Sequence, residues 1–359
     1  MVLTSRELQR RVLRVLPSAM LRRGTRSATA GTPGRPDDES STDVEEAAAS
    51  PDRRRARILT TVGPIVYVVA TVVLVWTQGL ILSRDWLFGW LLLGLLAVSL
   101  SDPRRWARGV VVDWLPLMVV LLCYDLSLPV REWIGITPHV WPQLDADRLV
   151  FGQLPTIWLQ HALYDAGTAH WYDYVGFVVY LSHFFVTLLV LALLWRLSYE
   201  RFRHYRALVV TLATAGFVTY VLFPAVPPWL AAWYGYIGPV HRVIAGMWET
   251  VGVAPAKALF ENHGQFYNQE AAIPSLHAAY PMLLLLFFWG AGRWARVGLV
   301  AYVLAMAFTL VYSGEHYVSD ILVGWLYAAA VTAGVSWARR RRARRRPPAS
   351  LPRVPAEVS

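Results

Sequence analysis

Residues 172–195 read YDYVGFVVYLSHFFVTLLVLALLW, with one carboxylate near the start, one histidine midway and an apolar face all round. A bilayer takes roughly 17–25 apolar residues to cross as a helix. Backbone amides in lipid must be satisfied within the segment, so a run of this length is a helix or nothing. The pattern recurs at 58–82, 109–128, 206–223, 274–290, 295–313 and 317–337, and a shorter run, WLFGWLLLGLLAVSL, lies at 86–100. The expected fold is therefore all-α: a polytopic membrane helix bundle of about eight transmembrane helices.

Composition agrees. Of 359 residues 56% are apolar and 16% charged, with a mean hydropathy of +0.39. A soluble domain carries about a quarter charged residues, so an ordinary soluble enzyme is excluded. The 17 Trp, 17 Tyr and 13 Phe exceed what a water-soluble core of this size needs. Cys123 is the single cysteine, which excludes an intramolecular disulfide and a thiolate metal cluster. The net charge of +10 sits at the ends and in short gaps between apolar runs, the placement of topology signals and not of a nucleic-acid surface. Alternate gaps hold 20 and 5 basic residues, which puts both termini in the cytoplasm of a plasma-membrane protein.

Four regions follow. Residues 1–57 form a basic and acidic tail expected to be disordered. Residues 58–108 hold two accessory spans, 109–338 the main membrane domain, and 339–359 an Arg-rich cytoplasmic tail that anchors on anionic lipid. Two outer loops are long, 129–171 and 224–273. LDADRLVFGQLPTIWLQHAL in the first is expected to lie amphipathically in the outer interface. FPAVPPWL in the second is expected to form a stiff, non-helical cap.

Two stretches carry chemistry: AIPSLHAAYP at 272–281 and YSGEHYVSD at 312–320. His316 and Asp320 are four apart and share a helix face. A carboxylate there orients one imidazole nitrogen and leaves the other as nucleophile or base. Pro274 suits a first helical turn and Ser275 a helix start, whose free amides and dipole suit phosphate. His277 stands one turn in. Taken singly, these are a solvated interfacial pair and a plain helix cap. Both fall on the outer face, one helical hairpin apart, and together they point to one site.

Pro274-Ser275-x-His277 followed by His316-x-x-x-Asp320 resembles the type 2 phosphatidic acid phosphatase superfamily. More narrowly it is similar to the inositolphosphotransferase branch that includes inositol phosphorylceramide synthase. FPAVPPWL and DRLVFGQLPT lend looser support, and the resemblance runs over roughly 110–337. It departs in three places. The Lys six residues before an Arg-Pro is absent, Leu276 stands in the Gly position of Pro-Ser-Gly-His, and Thr309 and Leu310 replace Ser-Arg before the third motif.

The resemblance implies a six-helix phosphatase-type core and a lipid phosphotransferase with no metal and no cofactor. His316 would attack phosphorus, Asp320 orient it, and His277 protonate the leaving oxygen. Ser275 and neighbouring amides would hold phosphoryl oxygens, with Lys257, Arg242 and His263 as candidates for the missing clamp. The partners it implies are a phospholipid donor, a lipid or alcohol acceptor and the surrounding membrane lipids. With water as acceptor, the same residues would make a lipid or polyprenyl phosphate phosphatase. A transporter without chemistry is the third reading, but no internal repeat supports it. His183, inside a span, is a functional candidate or a packed histidine.

Overall fold

A computed structural model of the chain describes residues 62–74, 84–99, 107–123, 126–252 and 268–345. Among these residues the elements are helices, joined by turns and isolated β-bridges. In chain order they are α1 (Val62–Leu74), α2 (Arg84–Ser99), α3 (Ala107–Cys123), α4 (Ser127–Ile134), α5 (Trp141–Phe151) and α6 (Pro155–Leu163). Then come α7 (Trp171–Leu197), α8 (Tyr199–Leu222), α9 (Pro228–Trp233) and α10 (Val243–Thr250). The last three are α11 (Leu276–Phe287), α12 (Arg293–Tyr312) and α13 (Val318–Arg344).

Four helices, α7, α8, α12 and α13, are long and apolar enough to cross a membrane. Helices α3 and α4 meet at 44° and together form a fifth, bent candidate. Among the described residues these are four or five of the eight expected spans; those at 58–82 and 86–100 run partly over residues outside them. The expected span 274–290 is a 12-residue helix, about 18 Å long at 1.5 Å per residue. Its apolar run continues to Trp289, but the chain turns there through a single 3₁₀ turn, Trp289–Ala291. The last helix, conversely, outlasts its apolar run and carries Arg339–Arg342 and Arg344 on helical backbone. The N-terminal tail and residues 346–359 lie outside the described residues.

α11 packs against α13, α12, α7 and α8, so the short helix is enclosed by long ones. Leu208, Leu212, Ala279 and Leu283 fill the centre of the bundle. The fit at one crossing is close. A Cβ on Gly324 of α13 would stand 2.4 Å from the Ser275 carbonyl oxygen, so only glycine admits the start of α11 there.

The first long loop, 129–171, is largely helical. It folds into α5 and α6, which expose Leu149 and Trp158 but bury Gln143, Leu144, Asp147 and Gln160 against the bundle. FPAVPPWL is extended only to Pro227, where Ala225 bridges both His139 and Ala271. Pro228 then opens α9, since proline suits the first turn.

Candidate active site

The second motif sits in the turn between α12 and α13. The Glu315 and His316 amides both donate to Leu310 O, at 3.0 and 3.2 Å, which folds the chain back over the end of α12. Gly314 supplies the turn: its φ is +76°, and a Cβ would stand 2.6 Å from Val240 Cγ1. Its carbonyl accepts from Trp229 N at 3.0 Å, tying the turn to α9.

His316 and Asp320 meet, but not on one helix face as expected: α13 begins at Val318, and His316 stands in the turn before it. His316 Nδ1 lies 3.4 Å from Asp320 Oδ2, and both side chains are buried. Asp320 Oδ2 also accepts from Tyr317 N at 3.0 Å, which holds the carboxylate at the helix start. With Nδ1 turned to the carboxylate, Nε2 is the nitrogen left for chemistry. His316 lines a cavity of about 150 Å³.

The first motif faces it. Ser275 caps α11, its Oγ accepting from Ala278 N at 3.3 Å, and Pro274 precedes the helix instead of occupying its first turn. Ser275 N donates to Asp320 O at 3.1 Å, so the two motifs are joined through backbone. Tyr220 OH donates to Pro274 O at 2.6 Å and fixes the same corner from α8. The fully buried Ser275 hydroxyl therefore serves the helix, and it does not reach the cavity. His277 does: its ring centroid is 5.7 Å from that of His316.

His183 of α7 joins the pair. Its ring lies 4.0 Å from that of His277, and Tyr180 stacks on the same imidazole at 4.9 Å. His277 Nε2 is buried with no hydrogen-bond partner among the described residues. The cavity lining mixes Trp229, Asn268, Gln269 and Glu315 with Val120, Leu121, Phe184, Leu188 and Val209.

Arg242 is brought to the site but not as a free cation. Its Nε and Nη2 donate to Glu315 Oε1 and Oε2 at 2.8 and 3.3 Å, and its guanidinium lies 4.3 Å from the Trp229 ring. Lys257 and His263 lie outside the described residues.

Two scaffold residues escaped the sequence reading. Asp147 of α5 accepts from Val318 N and Ser319 N at 2.8 and 2.9 Å, capping the helix that presents Asp320. Burial raises the Asp147 carboxyl above its ordinary range, while the Ser319 and Val318 amides pull the other way. Gln160 of α6 donates to His241 O and Tyr312 O, both at 2.8 Å, and accepts from His241 N at 2.8 Å. It thereby clips the strand leading to Arg242 onto the turn leading to Glu315 and His316. The signal for both was DRLVFGQLPTIWLQ itself, polar residues set in an otherwise apolar segment, but their partners lie far along the chain.

The helix bundle thus brings two histidines to one cavity, one of them with an aspartate carboxylate 3.4 Å away. The PAP2 superfamily model matches residues 145–334, more than half of the chain, and the chain belongs to that superfamily, the type 2 phosphatidic acid phosphatases. Over 114 residues it is 34% identical to the phosphoinositol dihydroceramide synthase of Bacteroides thetaiotaomicron. That match covers 30% of this chain and 37% of the relative, so well under two thirds of the relative's length is spanned. No solved structure matches.

Proposed function

We propose that the chain is an integral membrane phosphotransferase that moves a phospholipid headgroup, inositol phosphate in the first instance, to a lipid alcohol. Residues 109–338 form its catalytic membrane domain. The observation that carries this reading is the His277–His316 pair, 5.7 Å apart across a cavity whose lining is part polar and part apolar. The family and the name of the Bacteroides relative support it.

In the first half-reaction His316 Nε2 bonds to phosphorus as the phosphorus–oxygen bond to the donor's lipid alcohol breaks. His277 gives its proton to that oxygen. In the second half the acceptor hydroxyl loses its proton to His277 and attacks phosphorus, and His316 leaves neutral. Asp320 holds His316 in orientation and stabilises the cationic phosphoimidazole. The Ser275 Oγ accepts the capping bond, and the first-turn amides of α11 are the groups of that motif offered to phosphoryl oxygens. By the positive-inside count the site faces the extracytoplasmic side and both termini the cytoplasm.

The test is to supply purified protein with headgroup-labelled phosphatidylinositol, with and without a lipid alcohol. The expected result is acceptor-dependent label in a new lipid and an acid-labile protein adduct absent from His316→Ala. Release of free inositol phosphate regardless of acceptor would make the protein a phosphatase-type hydrolase. Turnover retained in His316→Ala would overturn the covalent route.

A further inference from the structure

The charge inventory of the cavity is unusual for a phosphate site. His316 and Glu315 are consecutive and both line it, and the Glu315 side chain is nearly sealed from solvent. Arg242, which does not itself line the cavity, is held by both of its fork nitrogens on the Glu315 carboxylate. The pair is fixed from three directions. Trp229 lies under the guanidinium, Gln160 ties the Arg242 strand to the end of α12, and Gly314 O is bonded to Trp229 N. Asp320 adds a second carboxylate behind His316, at no exposure. The described cations at the reacting centre are thus Arg242, already neutralised, and whichever histidine carries the proton.

Such a site treats two kinds of phosphate differently. A phosphodiester carries one negative charge and a phosphomonoester near neutral pH almost two. One extra charge about 6 Å from a carboxylate, at an effective dielectric of about 20, changes affinity roughly 10- to 100-fold.

We propose that Glu315, locked on Arg242 beside the nucleophile, is a charge-specificity residue that admits singly charged phosphodiesters and disfavours doubly charged phosphomonoesters. This rests on the phosphotransferase reading and deepens it. Donor, phosphohistidine intermediate and product then each present a phosphoryl group esterified once to the headgroup. A terminal phosphomonoester, the substrate of a lipid phosphate phosphatase, is held at a disadvantage. Charge cancellation at Arg242 is what separates the two chemistries here.

The experiment compares two activated substrates with the same leaving group, p-nitrophenyl phosphate and the p-nitrophenyl ester of inositol phosphate, at about pH 8. It reads kcat/KM and KM for wild type, Glu315→Gln, Glu315→Asp and Arg242→Gln. Glu315→Gln should raise the monoester-to-diester ratio of kcat/KM on the order of tenfold, mainly through KM for the monoester. Glu315→Asp, which keeps the charge, should leave the ratio close to wild type. Arg242→Gln strips Glu315 of its counter-charge and should lower the ratio, so the proposal is still tested if Glu315→Gln fails to fold. A ratio unmoved by Glu315→Gln, or moved in the same direction by Arg242→Gln, overturns the charge filter and leaves the phosphotransferase reading standing. A wild type that turns over neither ester, nor labelled phosphatidylinositol, overturns both.

Discussion

Asp147 and Ser319 stand 172 residues apart in sequence, yet the aspartate's Oδ1 accepts the serine's amide at 2.9 Å, and its Oδ2 takes the neighbouring Val318 amide at 2.8 Å. A helix start needs acceptors for its free amides. Here they come from another helix, so the geometry of Asp320 and His316 depends on where α5 is seated.

Replacing Asp147 should therefore cost both stability and rate. Asp147→Ala removes both acceptors, a loss of about 1–2 kcal/mol by analogy with helix caps. A shifted nucleophile adds on the order of tenfold or more in kcat. Asp147→Asn keeps one acceptor and should fall between. Burial makes the folded chain bind the Asp147 proton more tightly than the unfolded chain does. As pH falls from the raised folded value toward the ordinary carboxylate value, wild type should gain stability relative to Asp147→Asn. Tm in detergent for both proteins at about pH 7 and about pH 4.5 checks the sign.

Gln160 makes three hydrogen bonds to the backbone of two segments. Gln160→Ala strands the His241 amide and two carbonyls, at about 1–3 kcal/mol for each buried group that finds no water. The expected result is a lower Tm and a raised KM, because Arg242 and Glu315 lose their common support. A Tm and KM equal to wild type would count against that support.

Gly324→Ala places a methyl against the Ser275 backbone, which has no flexible end to yield. Overpacking of this kind costs about 1–3 kcal/mol, and activity should fall further than Tm because His277 follows Ser275. Gly334→Ala is the control on the same helix, where nothing lies within 4 Å of the added carbon. It should be neutral or stabilising.

The two histidines should separate by leaving group. His277→Ala loses general-acid help of about 10²–10⁴-fold when diacylglycerol departs. With a p-nitrophenyl leaving group, much of that defect should be recovered. His316→Ala should show no recovery, and Asp320→Asn should fall by several hundred-fold or more, as loss of an orienting carboxylate does elsewhere. Ratios of kcat/KM on the two substrates decide, and equal defects for both histidine variants would remove the division of labour.

Orientation is checked by labelling. Trp233 is 75% exposed at the end of α9. In a Cys123→Ala background, Trp233→Cys should react with a membrane-impermeant thiol reagent on intact cells. Reaction only after lysis would reverse the sidedness.

The long helices were legible because an apolar run of full length in lipid has one solution. The spacing of His316 and Asp320 marks them as a pair, but they meet because the turn before α13 folds His316 back over the first turn of that helix, and not because they share a helix face. The scaffold was not, since Asp147 and Gln160 read locally as polar punctuation and acquire a purpose only when α5 and α6 fold onto α12 and α13. A serine at a helix start suits a cap and a phosphate ligand alike, and the bond that Ser275 Oγ accepts from Ala278 N shows the cap. The length of α11 was overread because Phe288 and Trp289 prolong the apolar letters beyond the helical backbone.

The shortness of α11 has a consequence for how the protein meets its substrate. His183 stands 12 residues into α7, about 18 Å from that helix's first turn. His277, at the head of α11, lies against it. The histidine pair thus lies near the middle of the 27-residue α7 and not at its end. A lipid can present its ester linkage there without withdrawing its tails, which saves about 0.8 kcal/mol for every methylene that would otherwise enter water. On the proposed phosphotransferase reading, donor, acceptor and both products then remain solutes of the bilayer throughout, and saturation follows their mole fraction in the leaflet instead of their concentration in the bulk.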